Sequence, residues 1–308
     1  MPDRPLKLGT RRSPLALAQA EEARDRLMAA HHGLKVEIVP VTASGDKVLD
    51  RPLAEIGGKA LWTKELDAWL HTGEIDLAVH SAKDVETVRP DWLVIAAVLP
   101  REDVRDVLVG AASLADLAPG SRIGTSAPRR AAQALHLRPD CEVVMFRGNV
   151  QTRLAKLAAG EADATLLAMA GLNRLDQGHV GTPLDPSEWL PAPSQGAIAI
   201  ECRADDPRTR KFLAAIDDRA SHEAVLAERA LLAALGGNCH SPVAVLTERA
   251  NGMLTLRAAL LSADGRERIE GQRSFAPDDQ RGPMLLAADL LARAGEAIRA
   301  HFTGFVEG

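Results

Sequence analysis

The chain has no tyrosine, and aromatic residues make up only 3% of its 308 residues. Proteins that hold single-stranded nucleic acid stack bases on aromatic rings and present a basic face. With so few rings and a formal net charge of −5 at pH 7, that class has no support, and no nucleic-acid partner is expected. Cysteine is scarce as well. Cys141, Cys202 and Cys239 form no CxxC pair and leave an odd number, which fits a reducing compartment better than a disulfide framework. Nine histidines show no metal-ligand spacing, so no metal is expected. No apolar run reaches membrane-spanning length. The residues Met1 to Thr10 lack an apolar signal core. A cytoplasmic protein without a membrane partner is therefore the expectation.

What is present is a core-forming composition, 46% hydrophobic and 26% charged. A length of 308 residues is too great for one typical core and points to two or three domains. One stretch concentrates the chemistry. The apolar run Ile75 to Val79 leads into His80-Ser81-Ala82-Lys83-Asp84-Val85, which delivers a lysine and a carboxylate to the carboxyl end of a predicted strand. Open α/β sheets bind ligands at such ends. A lysine–aspartate pair there is by itself more often a solvated surface pair.

Arginines recur at the same kind of edge. Leu6 to Thr10 reads as a strand, Arg11-Arg12 follow it, and Ser13-Pro14 open a helix. Arg122 to Thr125 reads as a strand before Ser126-Ala127-Pro128-Arg129-Arg130 and a helix to about Leu137. Cys141 to Phe146 is a strand ahead of Arg147-Gly148-Asn149-Val150 and a helix carrying Arg153, and Asp163 to Ala168 is one ahead of Arg174. Guanidinium forks bind carboxylates in pairs, so this pattern describes a face for a polyanionic ligand. Thr42 to Lys59 is a long polar connection ending in Gly57-Gly58-Lys59, a length often functional. Gly178 to Pro193 reads as including a linker, Ala197 to Cys202 as a strand, and Ser221 to Leu235 as a helix stopped by Gly236-Gly237 ahead of Cys239. Three antiparallel strands between Val243 and Phe275 and a last helix from about Pro283 to Phe302 form a small α+β tail.

Taken together, Thr10-Arg11-Arg12-Ser13-Pro14-Leu15-Ala16-Leu17, Gly57-Gly58-Lys59, the His80 to Val85 string, Arg147-Gly148-Asn149-Val150 with Arg153, Gln195-Gly196-Ala197 and Glu228-Arg229 before the Cys239 turn resemble the porphobilinogen deaminase (hydroxymethylbilane synthase) family. The likeness covers almost the whole chain. It implies two periplasmic-binding-protein-like α/β domains, residues 1–99 with 196–217 and residues 100–195, and a C-terminal α+β domain, 218–308. It implies a transferase that joins four porphobilinogen molecules head to tail into hydroxymethylbilane, releasing ammonia, in tetrapyrrole (haem) biosynthesis. The primer is a dipyrromethane cofactor bound covalently to a cysteine, here Cys239.

The resemblance also distributes roles. Asp84 is the catalytic carboxylate, facing pyrrole N–H groups and the positive charge left as ammonia departs. Lys83, Ser13, Thr125, Arg129, Arg130 and Lys59 are assigned to the cofactor with Cys239. Arg11, Arg147, Arg153, Arg174 and Gln195 are assigned to porphobilinogen and the growing chain, which Lys83 reaches as well. The family reading further implies a monomer. This chain departs from the family pattern at four places. Ala127 stands where a second serine is common, which removes a hydroxyl contact to a carboxylate. Asn238 replaces a small residue before the cysteine, as asparagine's tolerance of left-handed backbone permits. Ser194 stands where glycine is usual, and Glu55 occupies a position that is lysine in some members. Two other classes remain to be weighed. A two-domain anion receptor would account for the arginines but not for Asp84 among them or for the cysteine-bearing tail. A cysteine-nucleophile hydrolase would need a base beside Cys239, where His240 is adjacent in sequence only.

Overall fold

The alternation of buried Leu6 and Leu8 with exposed Lys7 sets the first strand, Leu6–Arg11 (β1), in a structure that is a computed structural model and describes residues 4–41 and 63–304. Ser13 then stands extended, its hydroxyl accepts from the Ala16 N–H, and Pro14 occupies the first position of the helix Pro14–Ala30 (α1). The capping residues read from the sequence thus start that helix. Val36–Val41 (β2) comes next. The helix Lys64–Thr72 (α2) closes on Gly73, whose φ of +75° is open to glycine. Leu77–Ser81 (β3) leads into a single 3-10 turn, Ala82–Asp84, and Leu93–Val98 (β4) ends the segment.

The chain continues through Asp106–Val109 (β5), Arg122–Gly124 (β6), Pro128–Leu137 (α3), Glu142–Val144 (β7), Val150–Ala158 (α4), Ala164–Ala168 (β8), Met169–Asn173 (α5) and Thr182–Pro183 (β9). It then forms Ile198–Arg203 (β10), Pro207–Leu213 (α6) and Arg219–Ala234 (α7). The strands Val243–Ala250 (β11), Met253–Leu261 (β12) and Arg268–Phe275 (β13) precede the helices Arg281–Arg293 (α8) and Glu296–Arg299 (α9). The last helix expected from the sequence is therefore two. Gly295 lies between them, at a place where a Cβ would stand 2.4 Å from Glu267 Oε2.

The first sheet has the order β2-β1-β3-β10-β4, with β1 parallel to β2 and β3, and β10 antiparallel to β3 and β4. The second has the order β7-β6-β8-β5-β9, with β6 parallel to β7 and β8, and β5 antiparallel to β8 and β9. The two share one pattern. In each, the strand that enters by a crossing connection is the antiparallel one in fourth place.

By compactness the chain divides into residues 1–102 with 196–222, and 103–195 with 223–308. In the first unit Ala20, Ala23 and Leu27 of α1 pack with Leu6, Leu8, Leu77 and Val79 of the sheet. The second unit holds both the second five-stranded sheet and the antiparallel β11-β12-β13 sheet. These two share an apolar cluster of Ala132, Leu190, Ala244, Ala259 and Leu261, and His136 Nδ1 lies 2.8 Å from Gly265 O. The α+β tail, set apart in the sequence reading, is joined to the second sheet by that cluster. The make-up is mixed α/β with a smaller C-terminal sheet.

Candidate active site

In the first unit the parallel strands β1 and β3 bring Arg11, Ser13, Ser81 and Asp84 to one cleft, which Gln19 and His80 also line. Arg11 Nη1 lies 4.0 Å from Asp84 Oδ2, with the side chains 20% and 39% exposed. A solvated pair at that distance contributes little to stability. Its geometry instead sets a carboxylate and a guanidinium side by side at the carboxyl ends of two neighbouring parallel strands. The turn that carries Lys83 and Asp84 is fastened by Ala82 N–H donating to Ala197 O at 3.0 Å. Gln19, which the sequence reading passed over, is buried on α1 and exchanges hydrogen bonds with the Ser81 hydroxyl at 2.9 and 3.2 Å.

Behind this cleft lies a buried charge network. Glu201 on β10 is fully buried, accepts from Arg89 Nε at 2.9 Å and stands 3.3 Å from His80 Nε2. Arg89 also donates to Asp67 at 2.6 Å and to Glu86 at 2.5 Å. Burial pushes the Glu201 carboxyl up, but His80 and Arg89 outweigh it and hold the group at about 2.

The second unit places the other residues. Thr125 follows β6 as Arg11 ends β1, and its buried hydroxyl accepts from Ala127 N–H at 3.1 Å. Ala127 occupies the N-cap of α3 without a side-chain cap, the position that Ser13 fills for α1. Arg129 and Arg130 lie in the first turn of α3, each 5% exposed, and both are paired with Asp106 on β5. Burial pushes the Asp106 carboxyl up, and the two guanidinium charges overcome this and hold it far below the usual carboxylate range. Arg129 is pulled down by its own burial, against the attraction of Asp106. Arg147 is buried just ahead of α4, and Arg153 within α4 donates from Nε to Gly148 O at 3.0 Å. Asn149 caps that helix by accepting from Thr152 N–H at 2.9 Å, so both arginines flank a helix amino terminus. Arg174 is the C-cap of α5. Gln195 is fully buried and donates to Val104 O and to Asp106, each at 2.8 Å. Lys59, with Gly57, Gly58 and Glu55, lies outside the described residues.

Of the cysteines, Cys141 and Cys202 are buried and Cys239 is exposed. Burial pushes the Cys202 thiol up to about 12, which keeps it unreactive. Cys239 sits in a turn after α7, where Gly236 at φ +63° ends the helix. The left-handed role expected of Asn238 is not what it does. Non-glycine residues with positive φ, among those described, are Asp176, Ser194 and Asn251. Asn238 Oδ1 accepts from His240 N–H at 2.8 Å, and its own N–H donates to Ser241 Oγ at 3.1 Å, a side-chain turn around the cysteine. Ser194, by contrast, takes φ +62°, which explains why glycine suits that place.

These groups suit a covalently held ligand rich in carboxylates. An exposed thiol lies in the same unit as a buried pair of guanidiniums that shares, among the described residues, a single carboxylate, so the pair keeps positive charge in excess there. No helix among the described residues is long and apolar enough to cross a membrane.

The dipyromethane cofactor binding domain of porphobilinogen deaminase matches residues 6–211, and the C-terminal domain of that enzyme matches residues 222–292. The porphobilinogen deaminase of Sphingopyxis alaskensis is 55% identical, covering 98% of this chain and 98% of its own. That of Paracoccus denitrificans is 54% identical, covering 95% and 96%. Among solved structures, a periplasmic substrate-binding protein of an ABC transporter from Coxiella burnetii is 14% identical, covers 72% of this chain and 96% of its own, and has a TM-score of 0.43, a slight likeness. The chain belongs to the porphobilinogen deaminase family. With membership come the transferase class and the dipyrromethane cofactor domain that the sequence resemblance implied.

Proposed function

We propose that this chain joins porphobilinogen molecules head to tail with Asp84 as the catalytic carboxylate and Cys239 as the anchor of the cofactor. The observation that carries the reading is Asp84 set 4.0 Å from Arg11 at the mouth of an open cleft. Bound through the Cys239 sulfur, the dipyrromethane supplies the primer to which substrate units are added. Asp84 offers a fixed negative charge to pyrrole N–H groups and to the positive charge that grows on the substrate as ammonia leaves. A group placed before the reaction stabilises that charge without reorganising. Arg11 and Lys83 meet substrate carboxylates beside it. Ser13, at a helix amino terminus, adds to a region that favours anions. Thr125, Arg129 and Arg130, with Lys59, are assigned to the cofactor's carboxylates. Arg147, Arg153 and Arg174 are assigned to the lengthening chain, whose carboxylates accumulate with each unit. The same reading makes the protein cytoplasmic and a monomer, and sedimentation of the loaded enzyme would test the monomer.

Two substitutions separate the roles. Cys239→Ala is expected at its sequence mass, with no covalent group and no product. Asp84→Asn keeps the shape and a hydrogen-bond acceptor but removes the charge, so turnover is expected to fall roughly 10²–10³-fold while the covalent group stays attached. Intact mass and ammonia release are measured together, with preformed hydroxymethylbilane supplied for loading. Wild-type turnover in Asp84→Asn, or a loaded Cys239→Ala, would sink this assignment.

A further inference from the structure

Asp106 is fully buried on β5 and receives hydrogen bonds from four side chains. Arg129 Nη2 and Trp189 Nε1 each donate to one carboxylate oxygen at 2.7 Å. Arg130 Nη2 donates to the other at 2.7 Å, beside Gln195 Nε2 at 2.8 Å. Each oxygen therefore holds one guanidinium and one neutral donor. The neutral donors contribute no charge. They fix the carboxylate, and through it the two guanidiniums, whose far ends donate to Leu190 O and Leu166 O at 2.8 Å.

The charges do not balance. Among the described residues Asp106 is the acidic partner of two guanidiniums that are each 5% exposed, which leaves one positive charge of the pair in excess there. A buried charge without its counterpart is costly unless an anion joins it. We propose that Asp106, fixed by Trp189 and Gln195, is a positioning residue that presets the Arg129 and Arg130 pair, with its one surplus charge, for a carboxylate of the cofactor. This rests on the assignment of that pair made above. Gln195 acts through Asp106, because its amide nitrogen donates to Val104 O and to Asp106 inside the protein. Trp189 is a fully enclosed ring in a Gly- and Pro-rich stretch, and this role accounts for it.

Trp189→Phe and Gln195→Met each remove one neutral donor and leave every charge in place. Apoprotein of each variant is given hydroxymethylbilane, and the gain of the covalent group is followed by intact mass. Loading is expected to slow by about 10-fold in each, the scale of one hydrogen bond to a charged group. Leu256→Ala, a cavity in the apolar cluster of the C-terminal sheet and not in the one that holds Trp189, serves as the comparison for lost stability. It is expected to lower the thermal midpoint at least as much and to load at the wild-type rate. Loading of Trp189→Phe and Gln195→Met at the wild-type rate, or slowed only as their midpoints fall, overturns the positioning role. Arg129→Leu/Arg130→Leu tells the two readings apart. Normal loading of that double variant removes the arginine pair from the cofactor site altogether. Failed loading there, with normal loading of the two conservative variants, overturns only the inference made here.

Discussion

Ser194 holds a left-handed backbone that serine adopts at a cost. Its φ is +62°, it is buried, and its N–H donates to Glu228 Oε2 at 2.5 Å, while Glu228 Oε1 accepts from Thr247 N–H at 3.1 Å. The bond to Glu228 uses the backbone, so a glycine would keep it. Left-handed geometry costs an L-residue about 1–2 kcal/mol, and glycine's extra freedom when unfolded takes back about 0.5–1 kcal/mol. Ser194→Gly is therefore expected to stabilise by about 0.5–1 kcal/mol, raising the thermal midpoint by roughly 1–3 °C in calorimetry. A lower midpoint would show that the hydroxyl contributes more than the strain costs. Asn238 teaches the opposite lesson, since a residue able to go left-handed serves here as a side-chain acceptor for His240 N–H.

At the scale of elements, α1 and α3 both follow a parallel strand and begin with proline, yet one is capped by Ser13 and the other starts at Ala127 without a side-chain cap. Ala127 is extended, at φ −92° and ψ 115°, the conformation from which a serine hydroxyl caps a helix. Ala127→Ser is expected to add about 1 kcal/mol of stability. If this is capping, the same gain must appear in the Cys239→Ala background. A gain confined to loaded protein would instead mean that the hydroxyl meets the cofactor, as the family pattern suggested. Most strands and helices here were legible because Ser, Pro and Gly punctuate apolar runs of the right period. The crossing strand β5 was not. Asp106 stands at the end of the charged string Arg101 to Asp106, and the strand it opens, Asp106–Val109, is only four residues long. Trp189 was hidden in what read as a linker, although a large ring there was a signal of burial. The Asp84 cleft was legible because most of its polar residues fall in two short strings, Arg11 to Ser13 and His80 to Asp84, each at the carboxyl end of a readable strand. Gln19, Glu201 and Asp106 come to their sites only through tertiary packing.

Across the whole molecule the two five-stranded sheets carry the same device at the same place. Each antiparallel fourth strand holds a fully buried carboxylate, Glu201 on β10 and Asp106 on β5, bound by guanidiniums. Both carboxyls are held below their ordinary values, Glu201 at about 2 and Asp106 lower still. A folded pKa below the unfolded one means that the unfolded chain binds the proton first as pH falls. The stability these groups contribute is thus fully present above about pH 4.5 and is lost as pH falls through the folded values. Each contributes a slope of up to about 1.4 kcal/mol per pH unit in that window. Glu201→Gln removes one of them. It leaves Arg89 and His80 without that charge, so the variant is expected to be less stable at pH 7. Between about pH 4.5 and 2 its denaturant-unfolding free energy is expected to fall less steeply than that of wild type, because one titrating group is gone. Measured with both proteins at the same ionic strength, equal slopes across that window would show that Glu201 is not a source of the acid sensitivity.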